Sequence, residues 1–170
     1  MKKLLLSFAL SINLLALSIG ETPKEVSIQK DNGGLVKDGL EWNSSSIKGK
    51  IIVLFYVDPD EKDTNAHFNQ ILKDKKYNFE KFGSIAIINL AATWKPNFVI
   101  ESILKSKQKE FTRTIYVKDK NSVLVNEWGL KDDSSEVLLF SKDSKLLFYN
   151  SGKMSNEDIK QILKLIDENI

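Results

Sequence analysis

Ile51-Ile52-Val53-Leu54-Phe55-Tyr56-Val57 is an unbroken apolar run, closed by Gly49 on one side and Pro59 on the other. Apolar character at every position, rather than at every second one, describes a strand buried on both faces. Such a strand needs a covering layer on each side, which predicts an α/β domain with this run inside its sheet.

Working outward from that strand extends the pattern in both directions. After the Asp58-Pro59-Asp60 turn, Phe68, Ile71 and Leu72 recur at helical spacing through about Lys75, with acidic residues placed in the first turn, where the helix dipole favours them. Ile85-Ala86-Ile87-Ile88-Asn89-Leu90 repeats the buried-strand pattern, and Pro96 suits the first position of a helix carrying Val99, Ile100, Ile103 and Leu104 on one stripe. Strands alternating with helices imply parallel pairing through right-handed crossovers. Thr114 to Val117 reads as a third strand, and residues 121–128 suit either a strand or a short helix, with the helix favoured. Val137-Leu138-Leu139-Phe140 and Leu146-Leu147-Phe148-Tyr149 flank a five-residue connection and predict an antiparallel hairpin. A terminal helix follows: Ser155 and Asp158 have capping-box spacing, Met154 and Ile159 the spacing of a hydrophobic staple, and Ile159, Ile162, Leu163 and Ile166 form one apolar face. Upstream of the central run, residues 21–49 are mostly polar and broken by Gly33, Gly34 and Gly39, and read as a loose hairpin or edge-strand leader.

The first twenty residues have the layout of a secretory signal: Lys2 and Lys3, an apolar run from Leu4 to Ile19, and the small residues Ser18 and Gly20 at minus three and minus one of a cut after Gly20. The run contains Ser7, Ser11, Asn13 and Ser18 and is shorter than the roughly 20 apolar residues that span a bilayer, so cleavage is expected rather than a stable membrane anchor. A periplasmic location and a single mature domain, residues 21–170, follow as expectations. Removing two lysines leaves 23 of the 25 basic side chains against 23 acidic ones, a formal net charge of zero. Lysines alternate with acidic residues and Arg113 is the one arginine, so the clustered positive charge that phosphate-backbone binding requires is missing and nucleic acid is not the expected partner. The chain has no cysteine. That excludes thiol-disulfide chemistry and leaves the core to rest on packing alone.

The order of elements resembles a thioredoxin-like domain: a three-layer sandwich, its mixed central sheet built from parallel βαβ units, a C-terminal β-hairpin and a terminal helix. Ile47-Lys48-Gly49-Lys50 before the apolar strand ending Phe55-Tyr56 resembles the approach to the redox loop of exported thioredoxin-like reductases. In that register the two redox cysteines would stand at Asp60 and Asp63. More narrowly, Lys62-Asp63-Thr64-Asn65, Ile87-Ile88-Asn89, Phe98-Val99 and Trp128-Gly129-Leu130-Lys131-Asp132-Asp133-Ser134-Ser135 are similar to segments of the YtfJ family of exported bacterial proteins, which has this fold and no established activity. Ser144 stands where that family commonly has glycine and Thr112 where it commonly has proline. The resemblance also puts Ser135 at the position of the thioredoxin cis-proline; without proline, a trans bond is the default.

The ligand-binding candidates are Asp60, Asp63, Asn65, Trp94, Trp128, Ser134 and Ser135. Carboxylates at 60 and 63 would occupy the electropositive helix start where a thiolate is normally stabilised, and would serve there as caps or as ligand contacts. Trp94 and Trp128 supply either a contact platform or core packing. Asp63 and His67 lie one helical turn apart and are weak metal candidates; the cluster fails the calcium-loop pattern, since Lys62 holds the fifth position and Asn69 the twelfth. No catalytic residue and no cofactor is assigned. The favoured reading is a non-redox module binding an envelope peptide, protein or small ligand; the rivals are a carboxylate- or metal-assisted hydrolase at Asp60, Asp63 and His67, and a purely structural envelope protein.

Overall fold

A computed structural model describes residues 17–170, so most of the expected signal segment, residues 1–16, lies outside the described residues. The apolar run forms β4 (Ile51–Val57) and occupies the interior of a six-stranded sheet of order β2-β6-β5-β4-β7-β8. Its neighbours are β5 (Phe82–Asn89), parallel to it, and β7 (Ser135–Phe140), antiparallel; β6 (Thr114–Asp119) runs parallel to β5. β7 and β8 (Leu146–Ser151) are the expected hairpin, with Ser141–Lys145 between them. β2 (Gly33–Leu35) closes the opposite edge, antiparallel to β6. Gly33 sits there at φ +118, and a Cβ on it would lie 2.0 Å from the Lys118 carbonyl oxygen, so only glycine fits that approach.

Alternation along the strands sorts side chains into two cores. Val53 and Phe55 of β4 pack with Val137 and Leu139 of β7 against α1 (Ala66–Lys75, through Phe68) and α4 (Asn156–Asn169, through Ile159, Ile162 and Ile166). α2 (Asn97–Glu110) lies on the same face, where Ile100 and Leu104 meet Val36, Leu90 and Ile88. On the other face Ile52, Leu54, Tyr56, Ile85 and Ile87 meet α3 (Val123–Trp128) together with Val26, Ile28, Trp42 and Ile47. Residues 121–128 are thus helical from Val123, as favoured.

The segment 21–49 is more than a loose leader. Its β1 (Ser27–Ile28) and β3 (Trp42–Asn43) form a two-stranded ribbon that shares with α3 the cover of one core, and β2 joins the main sheet. Two helix starts also differ from expectation. α1 begins at Ala66 and has no acidic residue in its first turn, because Asp58 caps an earlier 3-10 turn, Pro59–Glu61, by accepting the Asp60 N–H at 2.8 Å, and the chain winds through further turns before the helix starts. Pro96 stands one residue ahead of α2, and of the four-residue stripe only Ile100 and Leu104 are buried while Val99 and Ile103 remain exposed. The terminal helix matches in detail: the capping box of Ser155 and Asp158 is formed, and Met154 and Ile159 lie in the same core.

Candidate functional site

The carboxyl ends of β4 and β5 open toward the turn that follows Val57, where an open α/β sheet usually places its ligands. Asp58 is buried, and burial pushes its carboxyl above the ordinary value against the pull of the Asp60 N–H. Asp60 instead reaches across to the β5–α2 loop, accepting from Thr93 Oγ1 at 2.8 Å and pairing with Lys95. The hydrogen bonds from Lys95 and then Thr93 hold its carboxyl below the usual range. Asp60 therefore neither caps α1 nor stands at its start. Asp63 is exposed and pairs with its neighbour Lys62.

The remaining expected residues separate into bound and free. Asn65 is buried; its Nδ2 donates to Ser135 Oγ at 3.1 Å and to the Gly152 carbonyl at 3.0 Å, and its Oδ1 accepts from Met154 N at 3.0 Å. Ser134 and Ser135 are buried, the Ser134 carbonyl accepts from Asp58 N at 2.9 Å, and the bond between them is trans. Trp128 is core: its ring lies against Phe140 and its Nε1 donates to the Lys24 carbonyl at 2.8 Å. Trp94 alone of the expected aromatic contacts faces water, 86% exposed, and Phe98, at the start of α2, is 73% exposed. The structure thus brings Asp60, Thr93, Trp94 and Lys95 to one surface and withdraws Asn65, Trp128, Ser134 and Ser135 from it.

The two residues offered for metal, Asp63 and His67, each have a protein partner, Lys62 and the Met154 carbonyl. His67 Nε2 lies 3.2 Å from the Met154 carbonyl, an acceptor, so that nitrogen carries hydrogen and is not a free lone pair. Among the described residues no group of three or more carboxylate or imidazole side chains is placed to hold a metal ion. His67 and Asp63 do line a cleft of about 610 Å³ with Lys153 and Ser155, between the starts of α1 and α4, but Trp94 is not part of it.

Sequence reasoning missed a polar cluster at the same ends of the strands. Asp119, fully buried, accepts from Val123 N at 2.9 Å and Leu124 N at 3.2 Å, capping α3, and from Tyr56 Oη at 3.1 Å. Burial, and then the Asp119 charge, push the Tyr56 hydroxyl far up, so it stays a donor. Beside it Asn89 Nδ2 donates to Asp132 Oδ1 at 2.6 Å, and Ser122 Oγ lies 3.1 Å from Asn89 Oδ1. The available signal was a polar residue ending each apolar strand: Asn89 in β5 and Asp119 in β6. These groups satisfy one another and hold the loops around the surface above.

The family described as "Bacterial protein of unknown function (YtfJ_HI0045)" matches residues 19–169. The chain belongs to the YtfJ family. Its relatives include the uncharacterized protein YtfJ of Escherichia coli K12, 26% identical over 146 residues that cover 81% of this chain and 79% of the relative. Another is an uncharacterized protein of Haemophilus influenzae, 28% identical over 130 residues covering 74% and 70%. Among solved structures, a candidate protein disulfide isomerase from Bacteroides thetaiotaomicron superposes with a TM-score of 0.64 at 19% identity, covering 90% of each chain. The exposed lipoprotein thioredoxin of Streptococcus pneumoniae gives 0.56 at 16% identity, covering 85% of this chain and 99% of that one. This YtfJ-family chain therefore has a thioredoxin-like fold, and it has that fold without cysteine. At these identities the likeness is one of architecture, not of chemistry.

Proposed function

We propose that the protein is an exported, periplasmic, non-redox binding module that holds a peptide or protein partner on the surface formed by Asp60 and the β5–α2 loop. The observation that carries this reading is Trp94, an indole almost wholly in water beside the Asp60–Lys95 pair, at the turn where the thioredoxin register places thiols. An exposed ring forgoes about 25 cal/mol for each Å² of apolar surface that a partner could cover. Tryptophan is also the side chain that most often anchors a protein interface. Phe98 extends the apolar surface and the ion pair supplies a polar rim. A small ligand fits less well, because Asn65, Ser134 and Ser135 are buried and bonded rather than open around a cavity. The even mixing of Lys with Asp and Glu favours protein over nucleic acid.

Photo-crosslinking tests this directly. A benzophenone side chain placed at 94 or 98 in the exported protein should give discrete adducts with envelope proteins, and one placed at Lys160, exposed on α4, should not. Equal labelling at all three positions, or none at 94 and 98, would remove the proposal.

A further inference from the structure

We infer that export processing cuts the chain between Ser18 and Ile19, two residues ahead of the Gly20 cut expected from sequence, and that Ile19–Glu21 fold with the domain as a clip on the outer edge of β8. The inference rests on the export reading. Beyond the end of the run's unbroken apolar stretch at Leu14–Leu17, two bonds have small residues at both minus three and minus one: Ser18–Ile19, preceded by Ala16 and Ser18, and Gly20–Glu21, preceded by Ser18 and Gly20. Hydrogen bonding separates them. Gly20 N–H donates to the Leu146 carbonyl at 2.7 Å, and Leu146 N–H donates back to the Glu21 carbonyl at 2.9 Å, so two successive residues face one, as at a β-bulge whose first residue is a positive-φ glycine.

Leu146 opens β8, the last strand of the sheet, so the groups it turns away from β7 need a partner other than a neighbouring strand. Gly20 supplies it from a tight turn: its φ of +89 is in the region that favours glycine, and Glu21 N donates to the Ser18 carbonyl at 3.2 Å. A cut after Gly20 would delete the Gly20 N–H and put a charged ammonium on Glu21. A cut after Ser18 preserves both bonds to Leu146 and gives up only the longer turn bond from Glu21 N–H to the Ser18 carbonyl. Leu17 also packs on the core, but the bond ahead of it has Leu14 at minus three and fails the small-residue rule.

The full chain is to be produced with its own leader, recovered from the periplasm by osmotic shock, and its first residue read by intact mass and N-terminal sequencing. Ile19 is the expected start. A start at Glu21 overturns the clip while leaving export intact, whereas a chain that keeps Met1 and stays in the cytoplasm overturns the export reading itself. Two leaderless chains, beginning at Ile19 and at Glu21, give a second measure. Losing a hydrogen bond of about 1 kcal/mol should speed hydrogen exchange at the Leu146 amide about fivefold in the shorter chain. Equal exchange rates would show that the clip is not part of the folded domain.

Discussion

Asn65 holds three segments at one point: the start of α1, the first residue of β7 through Ser135, and the β8–α4 connection through Gly152 and Met154. Replacing it with alanine leaves the buried Met154 N–H without that partner, at a cost of about 1–3 kcal/mol, while the Gly152 carbonyl keeps the bond from Asn150 Nδ2 at 3.0 Å. Asn65→Ala is therefore expected to lower the unfolding free energy by about 1–3 kcal/mol in urea titration, while adducts from a probe at 94 persist under conditions where the variant is folded. Ser144 makes the opposite point. It sits at φ +64 in the β7–β8 connection, a conformation that strains a side chain and suits glycine, which the family commonly carries there. Ser144→Gly should raise stability by about 0.5–1 kcal/mol; a lower melting temperature would contradict the strain. Both residues stood out in the sequence, Asn65 as a possible contact and Ser144 as a departure. Their roles did not, because each depends on where a distant segment or a backbone angle places it.

At the scale of elements, α4 was legible because its signals are local: a cap, a staple and one apolar face within sixteen residues, Met154 to Asn169. Packing outweighs capping in holding it. Ile162, fully buried, should cost about 2–5 kcal/mol on truncation to alanine, against about 1 kcal/mol for Ser155→Ala. The cap is also acid-sensitive. The Ser155 side chain, and then its backbone N–H, hold the Asp158 carboxyl below its ordinary value. A carboxyl lowered by folding contributes fully above its unfolded value of about 3.9 and loses that contribution as pH falls through the folded one. Asp158→Asn should therefore melt below the parent at neutral pH, and the gap should close as pH falls below about 4. A gap independent of pH would place the stabilisation elsewhere. α1 was less legible than α4, since the acidic residues that mark a helix start serve instead a 3-10 turn and a cross-loop ion pair.

For the molecule as a whole, the central strand, the crossovers and the hairpin could be read because each is a continuous apolar run. The contribution of residues 21–49 could not, because Val26, Ile28, Trp42 and Ile47 are separated by polar residues and glycines and acquire a common face only when the ribbon folds onto the sheet. All four are buried. At about 1.5–3 kcal/mol for each, their combined burial is about 6–12 kcal/mol, comparable to the roughly 5–15 kcal/mol that holds a domain of this size folded. Removing the segment also strips β2 from β6 and takes away the Lys24 carbonyl that Trp128 needs. A chain beginning at Lys50 keeps the central strand, α1 to α4 and the hairpin, yet one face of its sheet, with Leu54, Ile85 and Leu138, loses much of its cover. Such a chain is expected to show no near-ultraviolet circular dichroism and no cooperative melting transition, although its helices retain a far-ultraviolet signal. A sharp transition with native near-ultraviolet bands would mean that the sheet and its four helices fold alone, and that residues 21–49 are an accessory to the domain rather than one of its layers.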